Sequence, residues 1–162
     1  MIEIRLHGRG GQGVVTAAEL IATAAWEDKI HCLAFPTFGS ERMGAPVASF
    51  VRLSKEGPIR IRSEIYEPDH LIIQDPTLIG TVDVFGGLKP GGLVIINTQK
   101  KPEELHGIPE GMKVITFPAT DLALEILGRP IPNTILLGVY AAATGLIQLP
   151  AIIRAIEERF PP

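Results

Sequence analysis

The chain has 162 residues, of which 46% are hydrophobic and 20% charged, and its formal net charge is −3. This length suits one domain with a substantial core, expected over residues 1–162, and the slightly acidic balance without a basic run excludes a usual nucleic-acid-binding surface. Because no apolar run reaches a membrane span and the chain starts with a charged strand in place of a signal peptide, we expect a cytoplasmic protein with no membrane partner.

The first predicted strand, residues 2–7, leads into a glycine-rich turn and then a helix over residues 14–26. The turn is Gly8-Arg9-Gly10-Gly11-Gln12-Gly13. This order of strand, turn and helix is the context in which a G-x-G-x-x-G pattern binds phosphate, because the free N–H groups of the helix attract anions. We therefore predict an anion site here, with a turn required only for packing as the alternative.

The second predicted strand, residues 30–35, carries no carboxylate at its end, where Pro36-Thr37 follow. A nicotinamide-dinucleotide pocket needs an acid at that point to hold the ribose hydroxyls. Glu27 and Asp28 precede the strand and so belong to the wrong edge of the sheet. The pattern therefore disfavours a nicotinamide-dependent dehydrogenase.

A polar loop, Ser40-Glu41-Arg42, lies between Gly39 and Gly44. Ligands of open α/β sheets bind at the carboxyl ends of strands, so this loop and the glycine turn are expected to share one rim. Arg42 is predicted to bind a phosphate or carboxylate, with Glu41 holding Arg42 or Arg9. A solvated loop with a local ion pair is the alternative.

The rest of the chain predicts an α/β fold: a Rossmann-like three-layer sandwich with a mostly parallel sheet and a β-hairpin insertion. The hairpin is predicted from strands at residues 47–54 and 59–62. Further strands are predicted at 70–74, 92–97 and 113–117, and helices at 77–85, 119–127, 133–147 and 150–160. Asp75, Asn97 and Asn133 are interpreted as helix caps or ligand contacts. The helix from Asn133 is apolar all round, which predicts burial on every side, in the core or at a subunit interface.

The sequence predicts neither a metal site nor a catalytic residue within this chain. Its one cysteine, Cys32, lies in an apolar strand, and an iron–sulfur cluster usually needs four cysteine thiolates. The four histidines lack a zinc-ligand spacing, and no G-x-S-x-G motif is present.

Three groups of segments together resemble the gamma subunit of the 2-oxoacid:ferredoxin oxidoreductases, in particular the pyruvate or 2-ketoisovalerate type. The matching segments are residues 8–15, residues 38–47, and residues 133–138 with 143–145. They occur in the family's order and span nearly the whole chain.

The resemblance implies one part of a multi-subunit enzyme that converts a 2-oxoacid to acyl-coenzyme A and reduces ferredoxin. Thiamine diphosphate and iron–sulfur clusters are then held by alpha, beta and ferredoxin-like delta subunits. This chain holds no cofactor alone, is inactive by itself, and assists coenzyme A binding and subunit packing as a separate subunit without a fused alpha or beta region. The expected cofactor-binding residues are Gly8, Arg9, Gly10, Gly11, Gln12, Gly13, Ser40, Glu41 and Arg42. The alternatives are a stand-alone Rossmann-type nucleotide-binding oxidoreductase and a purely structural subunit.

Overall fold

The structure is a computed structural model and describes residues 1–37 and 42–161. These two ranges contain six strands and four α-helices. In chain order they are β1 (Ile2–Arg9), α1 (Val14–Glu27), β2 (His31–Pro36), β3 (Pro46–Ser54), β4 (His70–Ile73), β5 (Leu93–Asn97), β6 (Lys113–Phe117), α2 (Ala119–Leu127), α3 (Asn133–Thr144) and α4 (Leu149–Arg159). Single 3-10 turns occur at Pro76–Leu78 and Pro102–Glu104.

The strands form one sheet in the order β2-β3-β1-β4-β5-β6. Strand β1 pairs in parallel with β4, β4 with β5, and β5 with β6, whereas β3 runs antiparallel to both of its neighbours, β1 and β2. Five strands therefore share one direction. The predicted α/β fold with a mostly parallel sheet is confirmed.

The predicted partner of the antiparallel strand is wrong. Residues 59–62 form no strand, and β3 instead pairs with β2 on one side and β1 on the other. The Arg52 guanidinium donates to the carbonyl oxygens of Ile61, at 2.9 Å, and Ser63, at 2.7 Å. The Arg52 side chain thus binds carbonyl oxygens that, in a strand, would accept hydrogen bonds from a neighbouring strand. Ile61 is half exposed, so the alternating pattern there does not mark a buried face.

Helices α1, α3 and α4 cover one face of the sheet. Ile4 and Leu6 of β1 meet these helices in the larger of two apolar clusters. The sheet-facing side of α1 is rich in alanine, and Ala17 and Ala24 are fully buried. Small side chains allow α1 to lie close against the strands that precede and follow it.

The other face of the sheet is covered by irregular chain in place of the helix predicted over residues 77–85, and that prediction is wrong. Leu71 and Ile73 of β4 pack there against Leu78 and Val84. Only one 3-10 turn forms, because Gly80 adopts a φ of 87°, which an α-helix does not accommodate. The sheet is thus covered on both faces, with one irregular layer.

Two buried arginines hold the irregular layer. Arg5 donates to the carbonyl oxygens of Ile65, Val84 and Gly86 at 2.7–3.1 Å, and Arg52 binds residues 61–64. Arg5 also donates through Nε to His7 Nε2, at 2.9 Å. Burial, and then the charge of Arg5, lowers the pKa of His7 to about 3, so this imidazole is a neutral acceptor. Guanidinium donors therefore satisfy carbonyls that no helix satisfies.

Helix α3 is buried on one side only within this chain. Leu136, Leu137 and Tyr140 are at most 1% exposed, but Ala142 faces solvent, so α3 is not buried on every side in the core of this chain, and burial at a subunit interface stays a prediction. The helix ends three residues earlier than predicted because Gly145 adopts a φ of 64° at its C-cap. Within the described ranges, no helix combines the length and the apolar character that crossing a bilayer requires.

Candidate anion site at the carboxyl edge of the sheet

The glycine turn and the loop after β2 lie side by side at the carboxyl edge of the parallel strands. Gly10 forms a β-bridge with Met43, with hydrogen bonds from Gly10 N to Ala45 O, at 2.9 Å, and from Gly44 N to Gly10 O, at 3.0 Å. The shared rim predicted from the sequence is therefore present. Ser40 and Glu41 lie outside the described residues, so their predicted contacts stay predictions.

The glycines at two positions of the turn are required by contacts within the chain. A Cβ at Gly10 would overlap the carbonyl oxygen of Arg42. Gly13 adopts a φ of 73°, and a Cβ there would overlap the side-chain amide of Asn133. Packing alone thus accounts for Gly10 and Gly13, and any anion must contact the exposed side of the turn.

Gln12 closes the turn through three hydrogen bonds. Its Oε1 accepts from Arg9 N at 2.8 Å, its Nε2 donates to Asp75 Oδ2 at 2.8 Å, and its carbonyl accepts from Gln74 Nε2 at 3.0 Å. The sequence predicts a ligand contact for Gln12, but these bonds engage both ends of its amide. The structure places its side chain as a brace between β1 and the end of β4.

Arg9 is held in place by its neighbours. Its Nε lies 3.2 Å from Asp75 Oδ2, and its two terminal nitrogens donate to Gly44 O and Thr77 Oγ1, both at 3.1 Å. Partial burial alone would raise the pKa of Asp75, but hydrogen bonds from Thr77 and Gln12, together with Arg9, lower it. An ionised Asp75 therefore anchors Arg9, which in turn fixes the loop at Gly44.

The N-terminus of α1 lies at this rim with first-turn amides that have no partner among the residues that the structure describes. The helix begins at Val14 after Gly13, has no side-chain cap among the described residues, and carries no acid in its first turn. The first helical hydrogen bond runs from Ala17 N to Gly13 O, so the amides of residues 13–16 lack helical acceptors. Such amides and the helix dipole together favour a bound anion.

Arg42 is the second positive group at the rim. Its side chain is exposed, and it makes no ion pair with any other residue that the structure describes. Its carbonyl contacts Gly10, which fixes its backbone beside the turn. Unlike the guanidinium of Arg9, that of Arg42 is not bound by any residue within 1–37 or 42–161.

Sequence reasoning missed the positioning roles of Asp75 and Asn133. Asp75 caps the 3-10 turn by accepting from Thr77 N at 2.9 Å, as predicted, and it also anchors the glycine turn. The sequence indicates that Asn133 caps its own helix; its Oδ1 accepts from Thr134 N at 2.8 Å in the first turn of α3, and its Nδ2 also donates to Gly13 O at 3.2 Å. Asn97 is a cap: its Oδ1 accepts from Ala119 N at 2.9 Å, at the start of α2.

The chain's own donor set does not suit an iron–sulfur cluster. Cys32 is its one cysteine, and burial raises the pKa of that thiol to about 12, which disfavours the thiolate that ligates iron. In the part of the chain that the structure describes, no group of three or more His, Cys, Asp or Glu could hold a metal ion.

Comparison with known proteins identifies the family. A family model described as pyruvate ferredoxin/flavodoxin oxidoreductase matches residues 3–162. The chain is 53% identical over 162 residues to the common gamma subunit of the pyruvate/ketoisovalerate oxidoreductases of Thermococcus kodakarensis, an alignment that covers 99% of this chain and 87% of that protein. The chain belongs to this family, as a gamma subunit. It is thus one subunit of a multi-subunit 2-oxoacid:ferredoxin oxidoreductase.

Other relatives of the gamma subunit agree. Pyruvate synthase subunit PorC of Methanothermobacter marburgensis is 51% identical, covering 99% of this chain and 88% of that protein. The crystal structure of pyruvate oxidoreductase subunit PORC of Thermotoga maritima superposes with a TM-score of 0.88 at 36% identity, covering 99% of this chain and 86% of that one. A 2-oxoglutarate:ferredoxin oxidoreductase of Magnetococcus marinus, with coenzyme A and succinyl-CoA bound, shares the fold at 22% identity and a TM-score of 0.80. That alignment covers 98% of this chain and 27% of the other chain.

Proposed function

We propose that this gamma subunit supplies part of the coenzyme A site of its oxidoreductase, at the rim formed by the first turn of α1 and Arg42. The enzyme would decarboxylate a 2-oxoacid oxidatively, transfer the acyl group to coenzyme A and reduce ferredoxin. Thiamine diphosphate and iron–sulfur clusters would lie on the alpha, beta and delta partners. The observation that carries the proposal is the N-terminus of α1, which no described side chain caps, at the same rim as an exposed arginine.

The chemistry of coenzyme A fits these groups. Its pyrophosphate and its 3′-phosphate are strong acceptors with negative charge, which helix N-terminal amides and guanidinium groups bind well. The amides of residues 13–16 would bind one phosphate, and Arg42 would bind another in a bidentate manner. The bound coenzyme A of the Magnetococcus marinus enzyme, which shares this fold, supports the ligand class.

The other predicted site residues take positioning roles in this proposal. Arg9 is bound by Asp75, Thr77 and Gly44, so it would orient the rim and would not contact the ligand directly. Gln12 braces the turn in the same way. The glycines give the turn its shape, and Ser40 and Glu41 would complete the loop beside Arg42.

A purely structural role is the second candidate. The overlap that a Cβ would cause at Gly10 and Gly13 shows that the chain's own packing needs glycine there, with or without a ligand. A stand-alone dinucleotide-binding enzyme is less consistent with the fold. Strand β3 separates β2 from β1, so the end of β2 lies one strand farther from the turn than the usual arrangement requires.

Steady-state kinetics of the assembled complex with Arg42→Ala tests the proposal. We expect the KM for coenzyme A to rise about tenfold or more, because a hydrogen-bonded charge is lost. Arg129→Ala is the matched control, since Arg129 is exposed and lies two residues past the C-terminal end of α2. Repeating the assay with 3′-dephospho-coenzyme A identifies the phosphate: if Arg42 binds the 3′-phosphate, the variant and the control become equal. An unchanged KM together with a lower yield of assembled complex would favour the structural role.

A further inference from the structure

A cavity of about 420 Å³ opens at the amino edge of the sheet, where β1, β4, β5 and β6 begin. Residues lining it include Asp69, His70, Lys89, Lys113 and Thr144. Strand β1 has eight residues, so this cavity lies about 25 Å from the glycine turn along the strand. The cavity is therefore separate from the proposed coenzyme A rim and independent of it.

A hydrogen bond between half-buried His70 and buried Tyr140 lies at the cavity wall. His70 Nδ1 is 2.7 Å from the Tyr140 hydroxyl, and Tyr140 is 1% exposed. Burial raises the pKa of Tyr140 and lowers the pKa of His70, so both groups are neutral near pH 7. We assign the Tyr140 hydroxyl as the donor to Nδ1, which places the hydrogen of the neutral His70 on Nε2. That Nε2 makes no hydrogen bond to another described residue and is available as a donor to the cavity.

Among the described residues that line the cavity, one lysine has no carboxylate partner. Lys89 Nζ lies 3.2 Å from Asp69 Oδ1, and Asp69 Oδ2 accepts from Glu3 N at 2.8 Å. Each oxygen of the Asp69 carboxylate thus has a partner. Lys113 forms no ion pair with any residue in the described ranges. The cavity therefore offers an ammonium and an imidazole N–H, and no unengaged carboxylate among the described lining.

We infer that this cavity binds a small oxyanion, a carboxylate or phosphate group, with Lys113 as the charged ligand and His70 Nε2 as a neutral donor. A volume of about 420 Å³ accommodates a small metabolite as well as a single ion. The Tyr140 hydroxyl fixes the imidazole, since the ring cannot turn without breaking the buried bond. The site lies in this gamma subunit, away from the rim at which we place coenzyme A.

Equilibrium dialysis of the assembled complex tests this site, with inorganic phosphate and malonate in separate arms. Lys113→Gln should bind one of the two anions about tenfold more weakly than the unmodified complex at one site per gamma chain. Lys100→Gln, an exposed lysine outside the cavity, should bind like the unmodified complex. The arm that changes identifies whether the group is a phosphate or a carboxylate. The KM for coenzyme A should be the same in both variants.

A crystal soak gives a second, position-specific measurement. In crystals of the complex soaked in selenate, an anomalous selenium peak is expected about 4 Å from Lys113 Nζ or His70 Nε2, because a selenate oxygen at hydrogen-bond distance lies between selenium and the donor nitrogen. Equal binding of both anions by Lys113→Gln and Lys100→Gln, or a cavity without a selenium peak, overturns the inference.

Discussion

The side-chain amide of Asn133 donates to the carbonyl oxygen of Gly13 at 3.2 Å, joining residues 120 positions apart in the chain. The same amide occupies the space that a Cβ on Gly13 would fill. Helix α3 thus fixes the start of α1. Because the unpaired amides of α1 begin at Gly13, the geometry of the candidate anion site depends on α3 as well as on the glycine turn.

Gly13→Ala should destabilise the chain by about 2 kcal/mol or more, since a positive φ alone costs about 1–2 kcal/mol for a residue with a Cβ. Gly128→Ala is the matched control: Gly128 has a φ of 71°, and a Cβ added there would meet open space. In the control, the free energy of unfolding should fall only by the cost of the positive φ. Urea unfolding followed by circular dichroism measures both, and equal losses would show that Asn133 does not restrict Gly13.

Arg9 and Asp75 should show energetic coupling. Their side chains are 27% and 13% exposed, so a double-mutant cycle with Arg9→Met and Asp75→Asn should give an interaction energy of only about 1 kcal/mol. Each single variant should also speed hydrogen exchange of the Gly44 amide, because Arg9 holds the Gly44 carbonyl. Additive effects on stability and unchanged exchange would contradict the positioning role of this pair.

The stability of the chain should fall as the pH drops below about 6.5. In the unfolded chain His7 takes up a proton near the ordinary histidine pKa of 6.5, whereas in the folded chain its pKa is about 3. Between these values the unfolded state binds more protons, so the free energy of unfolding falls by up to about 1.4 kcal/mol per pH unit. His7→Gln should flatten this slope, because glutamine removes the titrating imidazole and still accepts a hydrogen bond from Arg5. A slope unaltered by His7→Gln would refute the assignment.

Arg52→Met should release residues 59–64 from the sheet. Arg52 is 3% exposed, pairs with Glu3 Oε2 at 2.8 Å and holds the carbonyls of Ile61 and Ser63. Leaving these groups unpaired should cost about 3 kcal/mol. Trypsin cleavage after Arg60 and Arg62 should accelerate, whereas Arg129→Met should leave it unchanged. Resistance equal to that of the unmodified chain would count against this anchoring role.

The sequence predicts best where local pattern decides the structure. It predicts strand β6 with its observed bounds, and β5 to within one residue, because continuous apolar runs between turns mark buried parallel strands. The strand predicted at residues 59–62 and the helix predicted at residues 77–85 are absent because of a distant side chain in the first case and a backbone conformation in the second. The first depends on hydrogen bonds from Arg52, and the second on the positive φ of Gly80. Neither cause changes the hydrophobic pattern of the segment itself.

Part of the candidate site also follows from local sequence pattern, and part depends on contacts between distant residues. The glycine turn, the helix after it and the rim shared with the loop at Arg42 follow from the order of elements, and the structure contains all three. The contact of Asn133 with Gly13 has no local signal, because the two residues meet only after the sheet and α3 have packed. The anchoring of Arg9 by Asp75 has no distinct signal either, because both residues also have roles within their own segments.

The most direct test of the central proposal is a structure of the assembled oxidoreductase with coenzyme A bound. We predict a phosphate oxygen of coenzyme A within about 3.2 Å of a backbone amide nitrogen of residues 13–16, with Arg42 in contact with a phosphate of the same molecule. A coenzyme A whose phosphates all lie on partner subunits, beyond hydrogen-bond reach of α1 and Arg42, would contradict the account.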